Sequence, residues 1–210
     1  MGILDEVASA TGNKNANEEL VKRCLQTPAL LHTIAEGLRT GAPPARIDCA
    51  QIMVDVAKRW PDQLANFSND FLEASRNEKK KVATLGFTGL AIITPVNPSA
   101  VFAERKYLLD VAAQGGALGI AALKVIATLC KHNANYRGKL LSNLLRMVQQ
   151  VPAKELPKWI AAAGPAVEGS ADGVKRLDQS TSEKRKELPD AAQKRIDKVF
   201  TKLEKTTVKK

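Results

Sequence analysis

Apolar residues in this chain recur at steps of three and four, and no segment alternates with period two over a useful length. That is the period of helices packed by one face. Asn17 is positioned to cap a helix whose first turn holds Glu18 and Glu19, favourable at the positive end of the helix dipole; it runs to about Gln26. Pro28 opens a second helix with Leu30, Leu31, Ile34 and Leu38 on one face, and Gly41 stops it after Thr40. Pro43-Pro44 begins a third, with Ile47, Ala50, Val54 and Ala57 in register, ending at Trp60-Pro61. Residues 1–17, Asn-rich after Ala10, read as a loose lead-in.

From there the helices alternate in pairs. First members fall at about 44–60, 78–94, 116–131 and 154–168, and second members at about 62–76, 98–114 and 134–151. Pro61, Pro95, Pro98, Gly115-Gly116, Asn133, Pro152 and Gly164-Pro165 fall between or at the ends of these segments. The second members repeat one another: FSNDFLEA from Phe67, ERKYLLDV from Glu104 and LSNLLRMV from Leu141 stand 37 residues apart. Phe71, Leu108 and Leu145 are equivalent, as are Ala74, Val111 and Val148. First members align as Ile47, Val82, Ile120; Ala50, Leu85, Leu123; Val54, Gly89, Ala127; and Ala57, Ile92, Cys130. A two-helix unit of this length cannot bury its own apolar face, so neighbouring units must stack.

At these residues the chain resembles HEAT and armadillo-type helical repeats over roughly 44–168, reaching back toward 28. The resemblance implies an all-α fold, a right-handed α-α superhelix of helical hairpins, with the second helices lining a concave face. A compact helical bundle is the alternative that the period leaves open. The expected organisation is a lead-in over 1–17, a repeat domain over 18–168, a charged helical cap over 169–205 and a disordered basic tail over 206–210. Within the cap, Ala192, Ile196, Val199, Phe200 and Leu203 form a narrow stripe among Lys194, Arg195, Lys198, Lys202 and Lys205. Such a helix either closes the end of the stack or docks on a membrane surface or partner.

Charge narrows the choice of partner. Residues 1–73 hold seven Lys/Arg against ten Asp/Glu, whereas 74–210 hold 25 against 12, giving the chain its net +10. This balance favours anionic partners. From Val111 to Lys154 there is no acid at all, but there are six cations: Lys124, Lys131, Arg137, Lys139, Arg146 and Lys154. Lys139, Asn143, Arg146 and Gln150 form one polar stripe, and Asn69 and Lys106 occupy the position of Asn143 in the earlier units, with Arg105 beside Lys106. A row of amides and cations on the concave face would hold an acidic peptide or protein surface, or the phosphates of DNA or RNA.

Catalytic chemistry finds little support in the residues. Cys24, Cys49 and Cys130 form no CxxC, and His32 and His132 have no metal-ligand spacing, so no metal or cofactor is expected. Free buried thiols fit a reducing, cytoplasmic compartment, and no run is long and apolar enough to span a bilayer. Cys130 and His132 point apart on a helix, and GGALG at Gly115–Gly119 lacks both a preceding strand and a following Gly-Lys-Ser/Thr. The small basic alkylpurine DNA glycosylases of HEAT-like type offer an enzymatic alternative, but Trp60, Tyr107, Asp110 and Trp159 reproduce none of their motifs. The leading expectation is a non-catalytic scaffold for a protein or peptide, with phosphate-backbone binding second.

Overall fold

The computed structural model describes residues 2–208. They are 84% helical, and no strand occurs among them. Thirteen α-helices follow in order: α1 (Ala8–Thr11), α2 (Ala16–Gln26), α3 (Leu30–Thr40), α4 (Pro43–Arg59), α5 (Ser68–Ser75), α6 (Lys80–Ile93), α7 (Pro98–Ala103), α8 (Arg105–Ala113), α9 (Gly116–His132), α10 (Ala134–Gln150), α11 (Leu156–Val167), α12 (Ala171–Lys186) and α13 (Asp190–Val208). Short 3-10 turns occupy Ile3–Glu6, Pro61–Phe67 and Ala153–Glu155. The chain forms two compact units that divide after Val101, and the arrangement is compatible with a helical repeat.

In the first unit α4 is central, packed by α2, α3 and α6, while α5 lies against α6 and α3. Ile52, Met53, Leu64, Phe71, Phe87 and Leu90 are buried in its core. The α5–α6 contact is unusually close because α6 carries glycine where it crosses α5. A Cβ on Gly86 would sit 2.4 Å from the backbone N of Ser75, and one on Gly89 would sit 2.2 Å from the Phe71 ring. The buried carboxylate of Asp70 on α5 is paired with Arg39 of α3, which also binds Glu36.

The second unit is built as two rows, α9–α11–α13 and α8–α10–α12, each helix packed on its neighbours in both rows. Its core holds Leu108, Leu123, Ile126, Leu144, Trp159, Ile160 and Leu177. The second row keeps a steady register. Phe102, on α7 just before α8, stacks on Tyr136, Arg176 donates to Ser142 Oγ at 3.4 Å, and Lys184 Nζ caps the end of α10 by donating to the carbonyls of Gln149 and Val151 at 2.6 and 2.7 Å. The last three pairs are separated by 34, 35 and 33 residues. Arg137 Nε, in the same way, caps α9 through the carbonyl of Cys130 at 2.9 Å.

Several local expectations change. The lead-in holds a 3-10 turn at Ile3–Glu6 and a short helix at Ala8–Thr11, and Asn17 does not cap α2, whose N-cap is Asn15. The Asn17 amide instead joins that segment to α4: its Oδ1 accepts from Ala8 N at 2.9 Å and its Nδ2 donates to Asp48 Oδ1 at 2.8 Å. Asp48 Oδ2 takes the N–H of Ser9 at 2.8 Å, and two tertiary bonds outweigh one local cap. Residues 61–67 form a 3-10 turn, near whose end the carbonyl of Ala65 accepts from Ser68 Oγ and Asn97 Nδ2, at 2.6 and 3.0 Å. The helix expected over 98–114 breaks at Glu104. The final helix runs through residues 206–208, and the tail's last two residues lie outside the described ones.

Glycine substitution separates packing from propensity. Gly86→Ala should lower the unfolding free energy by about 2–3 kcal/mol, since backbone must move to admit the methyl. Gly138, exposed inside α10 with nothing within 4 Å of its added Cβ, is the converse. Gly138→Ala should stabilise by about 0.5–1 kcal/mol. Urea unfolding followed by circular dichroism measures both.

Candidate functional site

The row expected from the sequence stripe has a physical counterpart in the second unit, on the side where α8 and α10 run alongside each other. Lys139, Asn143, Arg146 and Gln150 stay within one narrow arc of α10, because steps of four, three and four nearly close the helical period. Leu140, Leu141, Leu144 and Leu145 turn the opposite side inward and are buried. Asn133 fixes the start of α10, its side chain accepting from Tyr136 N at 3.1 Å. The face therefore rests on a helix pinned at both ends, by Asn133 and by Lys184.

Two features lie along this face. At its N-terminal end Phe102 and Tyr136 stack with centroids 4.0 Å apart and planes 6° from parallel. The Arg105 guanidinium lies 4.8 Å from the Phe102 centroid, and Lys139 Nζ lies 5.6 Å from it. Such cation–ring contacts hold charged groups against an apolar platform while leaving their outer sides to solvent. At the other end a groove of about 300 Å³ runs between the helices, with Leu109, Ala113 and Met147 as its apolar part and Asp110, Asn143, Arg146 and Gln150 as its polar part. Arg146 Nη2 donates to Asn143 Oδ1 at 3.2 Å, a bond that uses neither the Asn143 amide hydrogens nor the other guanidinium N–H groups. Lys106 is exposed one turn before Leu109 and Asp110, on the same stripe of α8.

The remaining candidates lie apart from this face. Asn69 is exposed on α5 of the first unit. Arg137 is taken up in capping α9, and Lys131 is paired with Glu168 at 2.8 Å. Lys124 is exposed on α9 and Lys154 in the turn before α11. The acid-free stretch is thus dispersed by the fold, and Lys139 and Arg146 are the two of its six cations that border the α8–α10 groove and ring stack. Sequence reasoning missed the Phe102–Tyr136 stack and weighed Asp110 only in the enzymatic alternative, not as part of this groove. A fixed 37-residue offset sets Phe102 against Lys139, whereas its ring partner is Tyr136, 34 residues on. Noting two of the chain's few aromatics at the starts of successive second helices would have found it.

The other chemically interesting residues are held inert or used in packing. Burial pushes the Cys130 thiol up to about 12, and burial beside Asp48 does the same for Cys49. His132 is the last residue of α9, where partial desolvation and then the neighbouring Lys131 lower its pKa. Trp159 is buried, its Nε1 donating to Glu155 Oε2 at 3.3 Å, while Trp60 is exposed at the end of α4. Gly115 and Gly116 adopt positive φ, 76° and 65°, to turn the chain from α8 into α9. Among the described residues no group of His, Cys, Asp and Glu could hold a metal, and no helix is long and apolar enough to cross a membrane. Comparison with protein-family models and with curated proteins returns no match for this chain.

The thiols give a pH prediction. A thiol raised from 9.0 to about 12 keeps its proton in the folded chain after the unfolded chain has lost it, so its stabilisation is full below pH 9 and declines between pH 9 and about 12. Unfolding free energy should therefore fall more steeply from pH 8 to 10 in the natural protein than in a Cys49→Ala, Cys130→Ala variant, measured by urea unfolding at each pH.

Proposed function

We propose that this chain is a helical-repeat binding protein of the HEAT or armadillo kind, with α13 capping one end, and that its α8–α10 face holds an acidic, extended peptide segment of a protein partner. The observation that carries this reading is the groove between α8 and α10, where two amides and a guanidinium stand above an apolar floor, continuous with cations held over stacked rings. An Asn or Gln amide offers one donor group and one acceptor, the complement of a peptide unit, and so suits a backbone in extended form. Arg and Lys supply charge-assisted bonds to carboxylates beside it. Residues 136–150 span about 21 Å of helix, room for roughly six extended residues.

Phosphate binding is the weaker reading of the same face. Tyr136 covers one side of the Phe102 ring and Arg105 lies over it as well, so a base has little open ring surface on which to stack.

The test is fluorescence anisotropy with a labelled twelve-residue peptide of Glu, Ser and Gly. Arg146→Glu with Lys106→Glu should weaken binding by at least about tenfold while leaving thermal stability nearly unchanged, since both side chains are exposed. Unchanged affinity would place the site elsewhere. Displacement of the peptide by random-sequence duplex DNA at near-physiological salt would favour phosphate binding instead.

A further inference from the structure

Helix α13 separates its charges by side. At 100° per residue, Lys194, Arg195, Lys198, Lys202 and Lys205 fall within an arc of about 100°, while Asp190, Asp197 and Glu204 fall within about 40° on another side. The acidic side turns toward α12, where Asp197 binds Arg185 Nη2 at 2.7 Å and Glu204 lines the cleft between the two helices. The cationic side flanks the groove between α13 and α11. There Lys198 and Lys202 border a cavity of about 310 Å³ whose apolar part is Ala161, Gly164, Pro165, Val199 and Leu203. Its one carboxylate, Glu168, is already engaged by Lys131. All five cations on this side of α13 are exposed.

We infer that the α11–α13 groove is a second docking surface, separate from the α8–α10 face, and that its occupant is an amphipathic helix with an acidic flank. Lys194, Lys198 and Lys202 are four residues apart, about 6 Å along the axis, and carboxylates four apart on a partner helix repeat at the same interval. Aliphatic side chains on the partner's adjacent face fill the groove between its Gly164 floor and its lysine rim. A polyanionic nucleic acid matches the charge but has no aliphatic side chain to place there. A lipid surface matches it less well. The bulky apolar residues of α13, Ile196, Phe200 and Leu203, are buried, so the helix has little to insert below headgroups. Pro165 lies within α11 and has no N–H, so the carbonyl of Ala161 on the groove wall lacks its helical donor. A partner helix brings polar side chains that can bond it, whereas an acyl chain would cover it unbonded.

The probe is a labelled eighteen-residue peptide of Leu and Glu patterned as an amphipathic helix, titrated against the full chain by anisotropy. Binding should weaken at least about tenfold in Lys198→Glu/Lys202→Glu and in Ala161→Glu, which sets an acid on the exposed wall of the groove. The same two-charge reversal at Lys80 and Lys81 should change it by less than about twofold, since those lysines lie at the start of α6 and not on α11 or α13. A peptide of the same composition with the pattern permuted should bind at least about tenfold more weakly. Any of four results overturns the inference: no binding of the patterned peptide, equal binding of the permuted one, loss with Arg146→Glu in place of Lys198→Glu/Lys202→Glu, or capture by phosphatidylserine vesicles without binding of the peptide.

Discussion

The central helices of this chain carry more apolar surface than one neighbour covers: α4 packs on α2, α3 and α6, and α9 on α8, α10 and α11. Burial is worth about 25 cal/mol per Å² of apolar surface, so helices that failed to stack would leave several kcal/mol of driving force unused. Stacking in turn requires close approach. At α5–α6 two glycines admit the backbone of one helix and the Phe71 ring against the other. In the second unit Arg137 of α10 caps α9, and Lys184 of α12 caps α10. The same constraint produces the face of interest. With one side of α10 committed to the core, the polar side has only to be regular in period to become a continuous row.

Much of the architecture was legible because burial follows period. Phe71, Leu108 and Leu145, equated by spacing alone, are all buried, and so are Ala50 with Leu123 and Val54 with Ala127. Leu85, Ile92 and Ile120 fill equivalent positions yet are half-buried. Period specifies which side of a helix faces inward but not how completely the next helix covers it. Local chemistry was harder to anticipate where a side chain had a tertiary use stronger than its local one. Asn17 bridges Ala8 and Asp48 instead of capping α2, and no property of Asn17 or its neighbours announces Asp48.

The candidate face shows the same division. Lys139, Asn143, Arg146 and Gln150 share a stripe as their spacing requires. What spacing could not supply was the fate of charge. Two cations of the acid-free stretch, Lys131 and Arg137, are drawn into the fold, one by a carboxylate 37 residues away and one by a carbonyl. Asp110, from outside that stretch, enters the groove. Net charge along a sequence therefore overstates what a partner meets. Two groups of exposed cations in the second unit, Lys139 with Arg146 on α10 and Lys198 with Lys202 on α13, each adjoin an apolar groove that gives the charge a shape to act with.

The most direct test of the central claim is to map where an acidic peptide touches the protein. Two-dimensional amide and side-chain NMR spectra of the labelled full chain would be recorded during titration with the Glu-Ser-Gly peptide. Perturbations concentrated on α8 and α10, with the side-chain amides of Asn143 and Gln150 among the largest, are the predicted result. Perturbations spread evenly over the exposed lysines, or absent from those two amides, would contradict it.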